Sequence, residues 1–165
     1  MIDRISTAAP DELLVITRAF DAPRERVFAA WTTAAHWARW FGPDGCTIPT
    51  CTLDPRPGGR LHFRNIHDGM DAWIGGTFRE VVEPERLVFT FSFHDEAGNI
   101  VPAATYGLSK QFPLETVVTV TFVERDGKTE MRLEQAVPLD VPERADMVTG
   151  WGMGFNHLDA LLAAR

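Results

Sequence analysis

From residue 46 to residue 137, apolar side chains recur at every second position, in stretches cut apart by turn residues. Period two marks strands with one buried face. Leu-Val-Phe-Thr-Phe-Ser-Phe (87–93) is the sharpest case, with Leu87, Phe89, Phe91 and Phe93 on one face. The same pattern predicts strands over 46–54, 60–66, 72–82, 115–125 and 128–137. Asp126-Gly127 marks a two-residue hairpin between the last two. Gly75-Gly76 inside 72–82 predicts a bulge, a bend or the close approach of another group. Successive strands joined by short turns form an antiparallel sheet, and its apolar face needs a cover.

Residues 142–165 supply that cover. Val148, Trp151, Phe155, Leu158 and Leu162 step by three and four, which makes one apolar helical stripe. Such a helix is roughly 35 Å long at 1.5 Å per residue. Gly150, Gly152 and Gly154 oppose it, each costing about 0.5–1 kcal/mol relative to alanine. The stripe must outweigh them, and they leave room for a kink or for close approach of a strand or ligand. Upstream, 12–20 alternates and predicts a further strand. Two short helices follow. The first, within 21–33, takes Asp21 as its cap and Pro23 in its first turn, and carries Val27, Phe28 and Trp31. The second, within 34–45, carries Trp37, Trp40 and Phe41 and stops at Gly42-Pro43. Residues 1–11 read as a loose lead-in.

The length of 165 residues suits a single domain over 1–165. A net charge of -7 and no basic stripe speak against nucleic acid as a partner. No stretch approaches the roughly 18 apolar residues of a membrane span, and the N-terminus lacks a signal-peptide core, so a cytoplasmic protein without membrane insertion is expected. Cys46 and Cys51 fall five apart in one predicted strand, on opposite faces and some 16 Å apart, too far to pair. They read as reduced, buried or half-buried thiols. No Ser-His-Asp pattern, phosphate-binding glycine loop, zinc spacing or helical histidine pair is present, and no cofactor or metal is expected.

The stretches FDAPRERVFAAWT, AHWARWFGPDG, DPRPGGRLHF, GGTFREVVEPERLVFTFSF, ETVVTVTFVER and GWGMGFNHLDALL span most of residues 13–165. Together they resemble the START-like (SRPBCC, birch-pollen-allergen-like) superfamily, in the branch of homologues of the activator of the heat-shock protein 90 ATPase. The resemblance implies an α+β helix-grip fold. In that fold a curved seven-stranded antiparallel sheet wraps around a long C-terminal helix, with a cavity between them. Members of the superfamily bind lipids and hormones, cyclise polyketides, sequester reactive natural products or assist chaperones. It implies first the binding of a small hydrophobic or aromatic molecule in the cavity. Alternatives are a cyclase- or hydrolase-type enzyme in the same cavity, and an interaction protein that partners a chaperone or forms a homodimer. A single domain of this size is expected to lack the additional chaperone-binding domain of the full eukaryotic activator, which speaks against chaperone stimulation. The connection 94–114, with Tyr106 and Phe112, is longer than the family's usual hairpin turn. It is expected to cap one mouth of the cavity or to pack on a partner subunit.

The expected cavity wall is aromatic. The strands contribute Phe63, Trp73, Phe78, Phe89, Phe91, Phe93 and Phe122, and the short helices Trp31, Trp37, Trp40 and Phe41. Trp151, Phe155 and Leu158 come from the long helix and Tyr106 from the long connection. Such residues fill cores and line pockets alike, and composition does not separate the two. Gln135 shares parity with Met131 and Leu133, so it reads as an inward polar group able to orient a ligand. His62 and Arg64 share the face opposite Leu61 and Phe63; they point to solvent or hold an anionic ligand. Arg79 pairs with Glu80 or Glu134, or reaches a ligand carboxylate. His36, His62 and His94 could serve as acids or bases near neutral pH.

Overall fold

The computed structural model describes residues 12–164. The chain runs β1 (Leu13–Phe20), α1 (Arg24–Thr32), α2 (Ala34–Trp40), β2 (Thr47–Leu53), β3 (Arg60–His67), β4 (Met70–Val82), β5 (Arg86–His94), β6 (Thr116–Arg125), β7 (Lys128–Ala136) and α3 (Arg144–Ala164). The seven strands form one sheet in the order β1-β7-β6-β5-β4-β3-β2, with antiparallel neighbours throughout. This is the helix-grip arrangement expected from the sequence. β5 is the central strand: Phe89 sits opposite Phe78 of β4 and Val118 of β6. At the Asp126-Gly127 turn both residues have positive φ, 55° and 78°. That suits the twist of a two-residue hairpin.

The sheet curves where glycine permits it. A Cβ on Gly76 would lie 1.7 Å from the Thr90 carbonyl oxygen, and one on Gly75 would lie 2.0 Å from that of Leu61. Only a residue without a side chain fits either position. Just beyond them the β4–β5 register shifts between Phe78 and Glu80. Gly154 plays the corresponding part in α3. Its Cβ position is 3.3 Å from the Gly42 nitrogen and 3.4 Å from the Trp40 carbonyl oxygen, so the helix seats directly on the end of α2. His157, one turn on, bonds the Trp40 carbonyl oxygen through Nδ1 at 3.2 Å and Asp44 Oδ1 through Nε2 at 2.7 Å.

Two local expectations are corrected. Asp21 does not cap α1. The helix starts after Pro23 without a side-chain cap. The free Arg24 N–H instead donates to Glu124 Oε1 at 3.0 Å, so the cap comes from the β6–β7 hairpin. α2 ends at Trp40, just ahead of the expected stop at Gly42-Pro43, because Phe41 turns extended and Gly42 takes a φ of +94°. Cys46 lies ahead of β2 and not within it, so the strand argument does not apply to it; both thiols are free and half-buried.

The space between sheet and α3 is where the aromatic residues decide the outcome. α1 and α2 insert Trp31, Trp37 and Trp40 into it, all essentially buried. Trp31 is the hub: its ring meets those of Trp37, Trp40, Phe89, Phe122, Trp151 and Phe155 at centroid distances of 4.8–6.5 Å. Tilted and edge-to-face pairs of this kind add roughly 0.5–1.5 kcal/mol each beyond area burial. The short helices therefore plug most of the grip, and the open space shrinks to one end.

Candidate functional site

That end is a pocket of about 180 Å³, partly open to solvent. Its walls come from Phe41, Gly42 and Pro43 after α2, Asn65 of β3, Ile74 of β4, Phe91, Ser92 and Phe93 of β5, Phe112 of the long connection, Thr116 of β6, Gln135 of β7, and Met147, Gly150 and Trp151 of α3. Alternation puts Leu87, Phe89, Phe91 and Phe93 on one face of β5, and their position along the strand divides them. Leu87 and Phe89 face the plugged part of the grip and are fully buried, whereas Phe91 and Phe93 reach the open end and are half-buried. A larger hollow of about 520 Å³ beside Arg18, Glu130 and Arg132 has charged walls and no aromatic residue, and suits an apolar ligand poorly.

A chain of buried hydrogen bonds fixes the pocket's polar side. The Trp151 indole N–H donates to Gln135 Oε1 at 2.9 Å, and Gln135 Nε2 donates to Thr116 Oγ1 at 3.0 Å. The Thr116 hydroxyl completes the chain on the Phe91 carbonyl oxygen at 3.4 Å. Trp151 thereby presents a fixed ring, stacked on Phe91 at 6.0 Å and met edge-on by Phe41 at 5.6 Å. On the β3 side, the Cys46 thiol meets Asn65 Oδ1 at 2.5 Å. Burial raises the Cys46 thiol to about 11, so it stays protonated and able to donate.

The connection 94–114 folds over this end. It turns at Asp95–Gly98, returns to β5 through a bridge between His94 and Ile100, and makes a 3-10 turn over Ala103–Tyr106. The Phe93 ring packs on Tyr106 and Phe112, both at 5.6 Å. Farther on, Ser109 donates its N–H and its hydroxyl to the two carboxylate oxygens of Glu143, each at 2.7 Å. This staple ties the connection to the start of α3 beside Met147. The hydrogen bonds from Ser109 hold the Glu143 carboxyl below the usual carboxylate range, against a desolvation effect that is the largest single influence and opposes them.

The sequence-derived candidates separate into three places. Phe41, Phe91, Phe93, Gln135 and Trp151 line the pocket. Trp31, Trp37, Trp40, Phe63, Phe78, Phe89, Phe122, Phe155 and Leu158 are packed in the core, away from it. The third group lies on the outer face of the sheet, against the expectation that Trp73 faces the cavity. Trp73 pairs across β3–β4 with Arg64, in antiphase to the inward Ile74, and its ring stacks on His62 at 4.7 Å. Tyr106 touches Phe93 but turns its hydroxyl to the His94 carbonyl oxygen at 2.6 Å. Arg64 is bound to Asp71 by two hydrogen bonds of 2.9 and 2.6 Å. Arg79 is exposed on the same face, and the acids expected to pair with it are engaged elsewhere, Glu80 with Arg86 and Glu134 with Arg132.

His62 and His94 form a clasp on that outer face. His62 Nε2 bonds the Glu96 carbonyl oxygen at 3.0 Å, which requires a proton on Nε2 and leaves Nδ1 as an acceptor. His94 Nδ1 stands 3.1 Å from it and so carries the proton between them. Burial, then the neighbouring His62 and Arg60, lower His94 to about 4. The clasp holds the Asp95–Gly98 turn and faces away from the pocket. His36 lies at the opposite end, near Arg26 and Arg39.

Asn65 and Met147 were not singled out from the sequence, and Phe112 and the Gly42-Pro43 corner were read only as part of the capping connection and as a helix stop. Asn65 was within reach, because it shares parity with Leu61 and Phe63. Among the described residues no group of three or more His, Cys, Asp or Glu is placed to hold a metal ion. No helix of the described chain is long and apolar enough to cross a membrane.

Comparison with solved structures gives the same architecture repeatedly. A crystal structure of a Mycobacterium smegmatis protein matches with a TM-score of 0.76 at 24% identity, covering 96% of this chain and 96% of that one. One from Nitrosomonas europaea matches with a TM-score of 0.76 at 21% identity, covering 94% and 97%. The AHSA1 protein of Silicibacter pomeroyi matches with a TM-score of 0.72 at 23% identity, covering 92% and 98%. At these identities the likeness establishes the fold alone. No curated protein matches the sequence. The family model described as activator of Hsp90 ATPase homolog 1-like protein matches residues 21–163, nearly the whole described chain, and the protein therefore belongs to that family.

Proposed function

We propose that the protein binds a small hydrophobic molecule of about one aromatic ring in the pocket between β5, the long connection and α3. The observation that carries this reading is the fixed Trp151 ring, held by buried Gln135 on the wall of an otherwise apolar pocket of about 180 Å³. An engineered cavity of about 150 Å³ holds benzene, so the volume suits a single ring and excludes a fused polycycle or a lipid chain while the connection stays stapled. Binding without turnover is the favoured reading because no lining residue is titratable near neutral pH. His62, Arg64 and Arg79, the polar groups that could have served an enzyme, stand on the other side of the sheet.

The test is a titration read by tryptophan fluorescence and by melting temperature, with single-ring probes such as benzene and toluene against a sterol and a long-chain fatty acid. Saturation by the single rings, with a melting shift that grows with concentration, is expected, since a ligand at 100 times its Kd stabilises by about 2.7 kcal/mol. Binding of the sterol or the fatty acid alone would refute the assignment to this pocket.

A further inference from the structure

The connection 94–114 is tied down unevenly. Its first half is held at several points: His62 bonds the Glu96 carbonyl oxygen, Arg60 that of Gly98, the Val101 N–H that of Phe93 and the Tyr106 hydroxyl that of His94. From Ser109 to Leu114 the only hydrogen bonds to the rest of the protein, among the described residues, are the two that Ser109 donates to the Glu143 carboxylate. Yet this half supplies part of the pocket wall. The Phe112 N–H closes a turn on the Ser109 carbonyl oxygen at 3.3 Å, so the position of Ser109 governs that of the Phe112 ring. On the other side of the staple, the Met147 N–H donates to the Glu143 carbonyl oxygen at 3.0 Å as α3 begins. Phe112 and Met147 both line the pocket, and Glu143 does not. One carboxylate therefore joins two pieces of wall that come from distant parts of the chain. Hydrogen bonds to a charged acceptor are the strong kind, but here both end on one half-buried side chain. A segment held by so few bonds is the first to open locally.

Resting on the reading of the pocket as a ligand site, we infer that Glu143 is the positioning residue that sets the upper size of the ligand. With Ser109 bound, Phe112 closes the pocket at about 180 Å³, room for one ring. With Ser109 released, the turn that carries Phe112 is free to move away from Met147, and the pocket lengthens between them to take a second, fused ring. Glu143 touches no ligand and acts through Phe112. The packing of Phe112 on Phe93 at 5.6 Å is what returns the wall to its closed place when the second ring is absent.

Toluene and naphthalene, one ring and two, are titrated by calorimetry at pH 7 into the wild-type protein, Glu143→Ala and Ser109→Ala. The wild type is expected to bind toluene at least tenfold more tightly than naphthalene. Glu143→Ala removes both bonds and should raise naphthalene affinity about tenfold, a modest share of what two hydrogen bonds to a charged group contribute, while toluene affinity stays within about threefold. Ser109→Ala removes the hydroxyl bond and keeps the N–H, so a smaller gain for naphthalene is expected; it keeps the inference testable if the Glu143 variant does not fold. The ratio of the two affinities is the deciding quantity, because an anchor that served stability alone would lower the melting temperature and leave that ratio unchanged. Equal affinity of the wild type for both probes, or a ratio that neither substitution moves, overturns the inference and leaves the pocket assignment standing. Failure of toluene to bind the wild-type protein overturns the pocket assignment, and this inference with it.

Discussion

Replacing Gln135 by methionine tests whether the pocket wall depends on one buried amide. Gln135 is 2% exposed and joins Trp151 to Thr116. Methionine fills nearly the same volume but can satisfy neither partner. The Trp151 N–H is left unpaired in a residue 6% exposed, which costs about 1–3 kcal/mol. Thr116 loses an incoming bond but keeps its own to Phe91, so its share is smaller. Better burial of the thioether offsets about 1 kcal/mol. The net loss is about 1–2 kcal/mol, or roughly 2–8 °C in melting temperature for a chain of this size. A double-mutant cycle with Trp151→Phe isolates the bond. Phenylalanine has no N–H to abandon, so Gln135→Met should cost about 1 kcal/mol less in that background. Urea denaturation of the four proteins reads the coupling. Additivity within about 0.5 kcal/mol would refute the claim that Gln135 is there to hold the indole.

Further outcomes follow from other parts of the fold. His94 stands at about 4 when folded and at 6.5 ordinarily, so the unfolded chain binds more protons between those values. The stability contributed is whole above about pH 6.5 and is lost as pH falls toward 4, about 2 kcal/mol of it by pH 5. Urea midpoints at pH 7 and pH 5 check this, and His94→Asn should flatten the difference. Gly76→Ala places a methyl group on the Thr90 carbonyl oxygen and is expected to cost more than about 3 kcal/mol or to prevent folding, read by yield and circular dichroism. Trp40→Phe and Trp37→Phe remove equal volume, but only Trp40 has a bonded N–H, to the Ala30 carbonyl oxygen at 2.8 Å. Trp40→Phe should therefore be the costlier by about 1 kcal/mol in thermal denaturation.

The elements were legible because their periods are strong. The β5 alternation and the Asp126-Gly127 turn appear where the residues place them, and the α3 stripe is buried from Trp151 through Phe155 and Leu158 to Leu162, whereas Val148, read as its first member, is 42% exposed. Inward parity also picked out Gln135. What periodicity cannot convey is depth. It says which face Phe89 and Phe91 share, but not that α1 and α2 drive Trp31 and Trp37 against the first and stop short of the second. The aromatic wall read from the sequence was thus mostly core. Parity also held information that went unused: Trp73 is in antiphase with Ile74 and Phe78, which places it outside, and Asn65 is in phase with Phe63, which places it inside. Arg79 escaped the rule because the register shift beside it breaks the alternation. The Ser109–Glu143 staple joins residues 34 apart in sequence and carries no local signal.

The central claim is that the open space lies at the Trp151 end of the grip and that the rest is filled. Tryptophan indole N–H resonances, one per residue, report on it directly in a nitrogen-15 correlation spectrum recorded during titration with a single-ring probe. The largest shift is expected at Trp151, with Trp40 in the plugged core and Trp73 on the outer face unmoved. A spectrum in which Trp40 moves and Trp151 stays fixed would contradict the account.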